Sequence, residues 1–168
     1  MRSTRDAIII ALDTGMRLGE IFRIVPIDVH EKSMLLHVAD TKSLKPRDIP
    51  LTVRALAILQ RRLKETGRMF EDQSEQQLSF RFRLERNTML EPIDPRRFHD
   101  LRHAFASRLV HAGADPYTVM EILGHSKLEM VTRYLHTSLE RKRAAIDSLG
   151  GNLFEMTKKK SSRRRDRT

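Results

Sequence analysis

Two Asp-Pro pairs do most to limit how this chain can fold. Asp94-Pro95 and Asp115-Pro116 each precede an apolar pattern of helical period, and each pattern runs into a glycine. An aspartate at the N-cap accepts from the first free N–H groups, and proline at the next position has its φ already set for a helix. A glycine just past the last turn takes the left-handed conformation that ends it. The first pair therefore predicts a helix from Pro95 to about Ala112, stopped by Gly113, and the second a short helix stopped by Gly124.

The same reasoning assigns the rest. Ser3 or Thr4 caps a first helix running to about Met16, with Gly15 and Gly19 at its end. Met34 to Val38 and Arg47 to Leu51 read as short strands, with Thr41 to Pro46 between them as a hairpin loop. Thr52 to Thr66 is an amphipathic helix with Val53, Leu56, Leu59 and Leu63 on one face and Gly67 as its stop. Ser74 to Arg86 reads as a helix, although Phe80 and Phe82 also alternate as in a strand. Ser126 and Glu129 form a capping-box pattern for a helix through about His136, and Ser138 to Leu149 is a last helix before Gly150-Gly151. The fold class expected is mostly α with a small antiparallel β-sheet.

Charge says where a partner acts. The net charge is +10 over 168 residues, but Lys158 to Thr168 holds seven Lys/Arg against one Asp. The remainder carries 25 basic and 21 acidic residues, so the folded part is only mildly basic. An anionic partner is indicated, and the terminal run reads as a disordered, solvated arm. There is no cysteine, which excludes disulfides and thiolate metal sites. No apolar run is long enough to span a bilayer, and no secretory leader is recognisable, so the expectation is a soluble, cytoplasmic chain without membrane contact.

Few side chains suit chemistry. On the helix predicted from Pro95, Phe98, Leu101, Phe105 and Leu109 form an apolar stripe, and Arg102 lies beside it. A guanidinium there needs an anion or an acceptor: either a structural carboxylate or a ligand. His99 stands almost one turn earlier, where it can converge with Arg102 or simply pack. His99 and His103 are spaced as in the zinc-binding pattern His-Glu-x-x-His, but Asp100 replaces the glutamate and no third ligand is evident, so His103 reads as a packing histidine. His125 lies in the tight turn Leu123-Gly124-His125-Ser126, as a turn residue bonding a carbonyl or as a site residue. Tyr134, on the flank of the stripe Leu128, Val131, Leu135, suits packing equally. Pro116 to Leu135 also reads as a helix-turn-helix, which would make the chain a DNA-binding regulator without catalysis.

Order and spacing go further than any one motif. Thr14-Gly-Met-Arg-Leu-Gly-Glu20, Thr41-Lys42 in a hairpin followed by Ile49-Pro-Leu51, His99-Asp-Leu-Arg-His103, Leu123-Gly-His-Ser126 and Arg133-Tyr-Leu-His136 occur in series. This series, over about residues 5 to 146, resembles the tyrosine recombinase, or phage integrase, family. The resemblance implies a catalytic domain over 1–150, followed by the basic tail 151–168, with the family's N-terminal DNA-clamping domain and one further helix absent. It implies DNA integration and strand exchange of the kind used by mobile elements, in a bacterial or phage-encoded protein. It implies double-stranded DNA as the partner, and a homo-oligomer, a tetramer, on DNA during synapsis from a monomer when free. Ser138 to Leu149 would dock on a neighbouring protomer or pack within its own chain. Type IB topoisomerases share part of this set, but the compact His-Asp-Leu-Arg-His and Leu-Gly-His-Ser favour a recombinase.

The resemblance also implies roles. Arg17 and Arg102 clamp the scissile phosphate, Lys42 is the hairpin lysine with Lys45 its competitor, His99 and His125 fill the two histidine positions, Glu20 supports the site, and Tyr134 is the nucleophile. Physical chemistry agrees. Phosphoryl transfer gathers negative charge on nonbridging oxygens, and two arginines answer it with planar, permanently charged donors. That is the electrostatic task a metal performs elsewhere, so no metal is expected. A phenol with a pKa of about 10 is protonated at neutral pH and needs a base, for which His99 is the candidate. The departing 5′-oxygen needs a proton, which Lys42 would supply, while His125 donates to a phosphate oxygen. A tyrosyl-phosphate bond keeps the energy of the broken diester, so no nucleotide cofactor is expected either.

Overall fold

A computed structural model describes residues 2–39, 46–70, 73–87, 97–135, 142–143 and 146–147. Two compact units are present, Met1–Tyr134 and Leu135–Thr168. Every element treated below belongs to the first. In the second, the described residues 142–143 and 146–147 are helical; the remainder of the helix expected over Ser138 to Leu149, and the basic tail, lie outside the described residues.

The described part of the first unit holds seven α-helices and one three-stranded antiparallel sheet: α1 (Arg2–Thr14), α2 (Leu18–Arg23), β1 (Val29–His30), β2 (Leu35–Val38), β3 (Arg47–Pro50), α3 (Val53–Thr66), α4 (Glu75–Asn87), α5 (Asp100–His111), α6 (Pro116–Leu123) and α7 (Glu129–Thr132). This is the mostly α class with a small sheet that the sequence predicts. Strand order is β1-β2-β3, with Val29 opposite Leu36 and Leu36 opposite Ile49. Leu36, Val38 and Ile49 are buried while their neighbours along the strands are less so, as a sheet with one core face requires. The strand β1 gave no signal, because two residues are too few for a period to show.

Local signals succeeded where a cap and a stop bracket the pattern. Thr52 caps α3, its Oγ1 accepting from the N–H of Ala55 at 3.2 Å, and Gly67 closes it at φ 72°. Asp115 caps α6, accepting from Tyr117 and Thr118, and Gly124 closes it at φ 65°. Three boundaries depart from expectation. Ser3 and Thr4 are buried inside α1 and do not cap it. The helix expected from Pro95 begins at Asp100: the Asp100 carboxylate accepts from the N–H of Arg97 at 2.8 Å, and N–H groups at 100, 101 and 102 bond three residues back, so 97–100 is a tight turn. Residues 88–96, with Asp94-Pro95, lie outside the described residues. The helix expected from Ser126 to His136 reduces to Glu129–Thr132, with no side-chain cap and with bonds to Lys127 and Leu128 that span three residues.

α1 runs through the core, burying Ala7, Ile10 and Ala11. Buried carboxylates lash it to α3: Asp6 accepts from Arg61 and Arg62 at 2.7 and 2.8 Å, and Asp13 from Thr52 and Arg54. Gly15 then ends α1 at φ 65°. A Cβ there would collide with the Phe105 ring and lie 2.8 Å from Leu123, so α5 and α6 close onto bare backbone at the point where α1 stops. That closure brings the carbonyl oxygens of Gly15 and Leu123 to one place.

Candidate active site

Arg102 occupies that place. Its side chain leaves α5 on the buried face, beside Leu101 and Phe105, and the residue is 2% exposed. Nη1 donates to the Gly15 carbonyl at 2.8 Å and Nη2 to the Leu123 carbonyl at 2.5 Å. No salt bridge to Arg102 forms among the described residues. Backbone carbonyls hold the guanidinium, and Glu20 acts on it only through its charge. Burial, and then the charge of Arg17, lower its pKa to about 10, so it is still a cation at neutral pH.

Glu20 organises the neighbouring cations. It sits in the first turn of α2 and accepts the Arg17 backbone N–H at 2.9 Å, closing the helix start. It also accepts from Arg47 Nη2 at 3.0 Å, with a longer contact from Arg17 Nη1 at 3.4 Å. Burial pushes its carboxyl upward, but the Arg17 N–H and the Arg47 guanidinium outweigh that and hold it below the usual range. Glu20 is therefore a carboxylate shared between two arginines, and Arg102 adds a third positive charge. The three guanidinium groups around one carboxylate leave a local excess of positive charge, which favours an anion.

The structure adds Arg47 to the set. Its Nε donates to the Ile122 carbonyl at 2.8 Å, so β3, α2 and the end of α6 meet on one guanidinium. Sequence reasoning missed it, although a signal was present: Arg47 falls on the same strand face as Ile49, which is 1% exposed, and a charge in line with a core residue asks for a partner.

His125 stands just past Gly124, its N–H bonded back to the Met120 carbonyl at 2.9 Å. Its Nδ1 is buried and has no partner among the described residues. Burial, and then Arg102, Arg17, Arg133 and Arg47, lower its pKa to about 4. It is thus a neutral imidazole among cations, with a ring nitrogen still to be satisfied. His99 lies at the N-cap of α5 and not within the helix. Burial, His103, Arg102 and Arg17 all lower its pKa, so it too is neutral. Beside it opens a cleft of about 560 Å³ lined by Leu18, Ser79, Arg83, Arg97, Phe98 and His99.

Tyr134 is 8% exposed, more buried than the flank position expected of it, because the short α7 turns Val131 and Tyr134 inward together. Its hydroxyl is bonded to Nδ1 of His103. His103 packs edge-on against His99, with ring centroids 5.2 Å apart, and lies 5.7 Å from the Tyr134 ring. It therefore does more than pack, contrary to the sequence reading. Burial raises the Tyr134 pKa although Arg133 and Arg102 oppose it, so the phenol is protonated. Among the described residues no cluster of three metal-ligating side chains forms, so the His99–His103 pair has no third ligand there.

Arg17, His99, Arg102, His125 and Tyr134 thus lie close enough in the first unit for Arg102 to act electrostatically with each of the others. Lys42 and Lys45 lie outside the described residues. The model of the phage integrase family matches residues 2–141. The chain belongs to that family. A curated member, tyrosine recombinase XerC 2 of Ralstonia nicotianae, is 33% identical over 148 residues, covering 80% of this chain and 43% of that protein. The catalytic domain of bacteriophage HP1 integrase is 30% identical, with a TM-score of 0.61 over 84% of this chain and 79% of that one. The Tn1549 transposon integrase, solved in complex with transposon right end DNA, shares the fold at a TM-score of 0.71 and 22% identity, covering 89% of this chain and 59% of that one. This chain spans about half the length of the curated family members it matches. No described helix is long and apolar enough to cross a membrane.

Proposed function

We propose that this chain is the catalytic domain of a site-specific DNA recombinase, cleaving and rejoining strands through a 3′-phosphotyrosyl intermediate. The observation that carries the proposal is Arg102: buried, held by two backbone carbonyls, without an ion pair among the described residues, and grouped electrostatically with Arg17, His125 and Tyr134. A DNA phosphodiester supplies the anion this arrangement lacks. Arg17 and the remaining N–H groups of Arg102 bind its nonbridging oxygens, where charge grows in the transition state. Tyr134 attacks the phosphorus, and the neutral ring of His125 donates to a phosphate oxygen. Lys42 protonates the departing 5′-oxygen, with Lys45 as the competing candidate. Glu20 and Arg47 fix the two ends of α2 and β3 without touching the phosphate. A transcriptional regulator of helix-turn-helix type has no need of a buried arginine that bonds backbone where α6 ends and makes no ion pair among the described residues. The partner is double-stranded DNA, on which the protein assembles as a tetramer for strand exchange.

The test starts from a pool of duplexes with a randomised core and a nick placed to trap cleavage. The expected result is a covalent protein–DNA adduct on a denaturing gel, whose captured DNA yields a consensus site. Tyr134→Phe keeps the ring packing and should give no adduct while binding that site as tightly. Tyr117→Phe, at a position 64% exposed, is the control. An adduct formed by Tyr134→Phe refutes the assignment of the nucleophile; no adduct from the natural chain refutes the enzyme.

A further inference from the structure

We propose that His103 is a catalytic residue, the base that takes the proton of Tyr134. The inference rests on the recombinase reading and deepens it at one atom. The Tyr134 hydroxyl has one hydrogen bond among the described residues, to Nδ1 of His103. Burial keeps the phenol protonated, so it has a hydrogen to donate along that bond, and in the tautomer with the ring hydrogen on Nε2 the Nδ1 atom accepts it. A base must lie within hydrogen-bond reach of the proton it removes, and His103 satisfies that where His99 has no such contact. His99 stands at the N-cap of α5, one turn before His103, with its ring edge-on to it. That position suits a contact to the phosphate or support of His103.

The chemistry balances. As Tyr134 Oη bonds to phosphorus, its proton passes to Nδ1 of His103, the P–O5′ bond breaks, and the departing oxygen takes a proton from the general acid assigned to Lys42. On rejoining, the incoming 5′-hydroxyl returns its proton to that acid, and the His103 imidazolium returns its own to the tyrosyl oxygen. The charged groups facing the pair are few. Arg102, on the same helix, and Arg133, next to the tyrosine, favour the phenolate, and His103, Arg102, Arg17 and Asp100 act on His99. Burial disfavours a free phenolate before attack, so proton transfer accompanies the attack on phosphorus.

Two variants test this on the captured site, with duplex binding measured alongside to show that each is folded. His103→Asn keeps an acceptor near the Nδ1 position but has no basicity. Its cleavage rate should fall roughly 100- to 10,000-fold, the loss typical of a general base, with the adduct still on Tyr134. His103→Ala should be rescued by added imidazole, and more so as imidazole is deprotonated. Replacing Tyr134 by a fluorinated, more acidic tyrosine should restore much of the rate to His103→Asn and little to His125→Asn. If the natural chain forms an adduct while His103→Asn cleaves within a few-fold of it, or if the fluorinated tyrosine rescues His99→Asn instead, His103 is not the base, though the recombinase reading stands. If the natural chain forms no adduct, the underlying reading falls and this assignment falls with it.

Discussion

Gly15→Ala tests how closely the fold and the site are joined. The glycine has φ 65°, a conformation that costs a residue with a Cβ about 1–2 kcal/mol. The added methyl would also meet the Phe105 ring and lie 2.8 Å from a Leu123 methyl, both packed in the core. Forcing extra volume into such a place costs about 1–3 kcal/mol. The sum is about 2–5 kcal/mol, and with a urea dependence of about 2 kcal/mol per molar the unfolding midpoint should fall by roughly 1–2.5 M. Gly67→Ala is the matched control. Gly67 has φ 72°, but nothing lies within 4 Å of its Cβ position, so only the conformational part applies. Its midpoint should fall by roughly 0.5–1 M. The loss of chain entropy in the unfolded state is common to both and cancels. Because the Gly15 carbonyl holds Arg102, the Gly15 variant should also cleave DNA more slowly under conditions where it is fully folded, and the Gly67 variant should not. Equal midpoint shifts for the two glycines would refute the packing argument, and a folded Gly15→Ala with full activity would refute the link to Arg102.

Arg102→Lys should bind DNA yet cleave at least 100-fold more slowly, since an ammonium cannot hold both carbonyls and still offer a planar fork to phosphate; single-turnover cleavage on the captured site measures this. Glu20→Gln should alter the acid limb of stability. The carboxyl titrates below its ordinary 4.5 in the folded chain, so its contribution is complete above that value and is lost as pH falls through the folded pKa; the variant should be less stable near neutrality and show a flatter loss in acid, read from urea midpoints across pH. Lys42→Ala should be slowed roughly 100- to 10,000-fold on normal DNA and recover on a substrate with sulfur at the bridging 5′ position, since a thiolate leaves without a proton. Rescue of Lys45→Ala in its place would reassign the acid to Lys45.

Sequence alone determined whatever a residue and its near neighbours can satisfy between them. Thr52 and Gly67 bracket α3, Asp115 and Gly124 bracket α6, and the alternation in Leu35–Val38 and Arg47–Pro50 gives two strands and their inward faces. The order of the motifs gave the family and named Arg17, His99, Arg102, His125 and Tyr134 as the residues to watch. Tertiary structure decided the rest, because the partners are far apart in the chain. Arg102 could have paired with a carboxylate; it bonds instead to carbonyls 87 and 21 residues away, which exist as a pair only because α5 and α6 close over Gly15. Arg47 reaches Glu20 across 27 residues, and His103 meets Tyr134 across 31. The start of α5 moved for a smaller reason of the same kind: the turn at 97–100 satisfies its own N–H groups through Asp100, where a helical period can see only the spacing of apolar side chains. A period reports which face of an element is buried. It carries no information about which group on another element that face will meet, and in this chain the chemistry depends on those meetings.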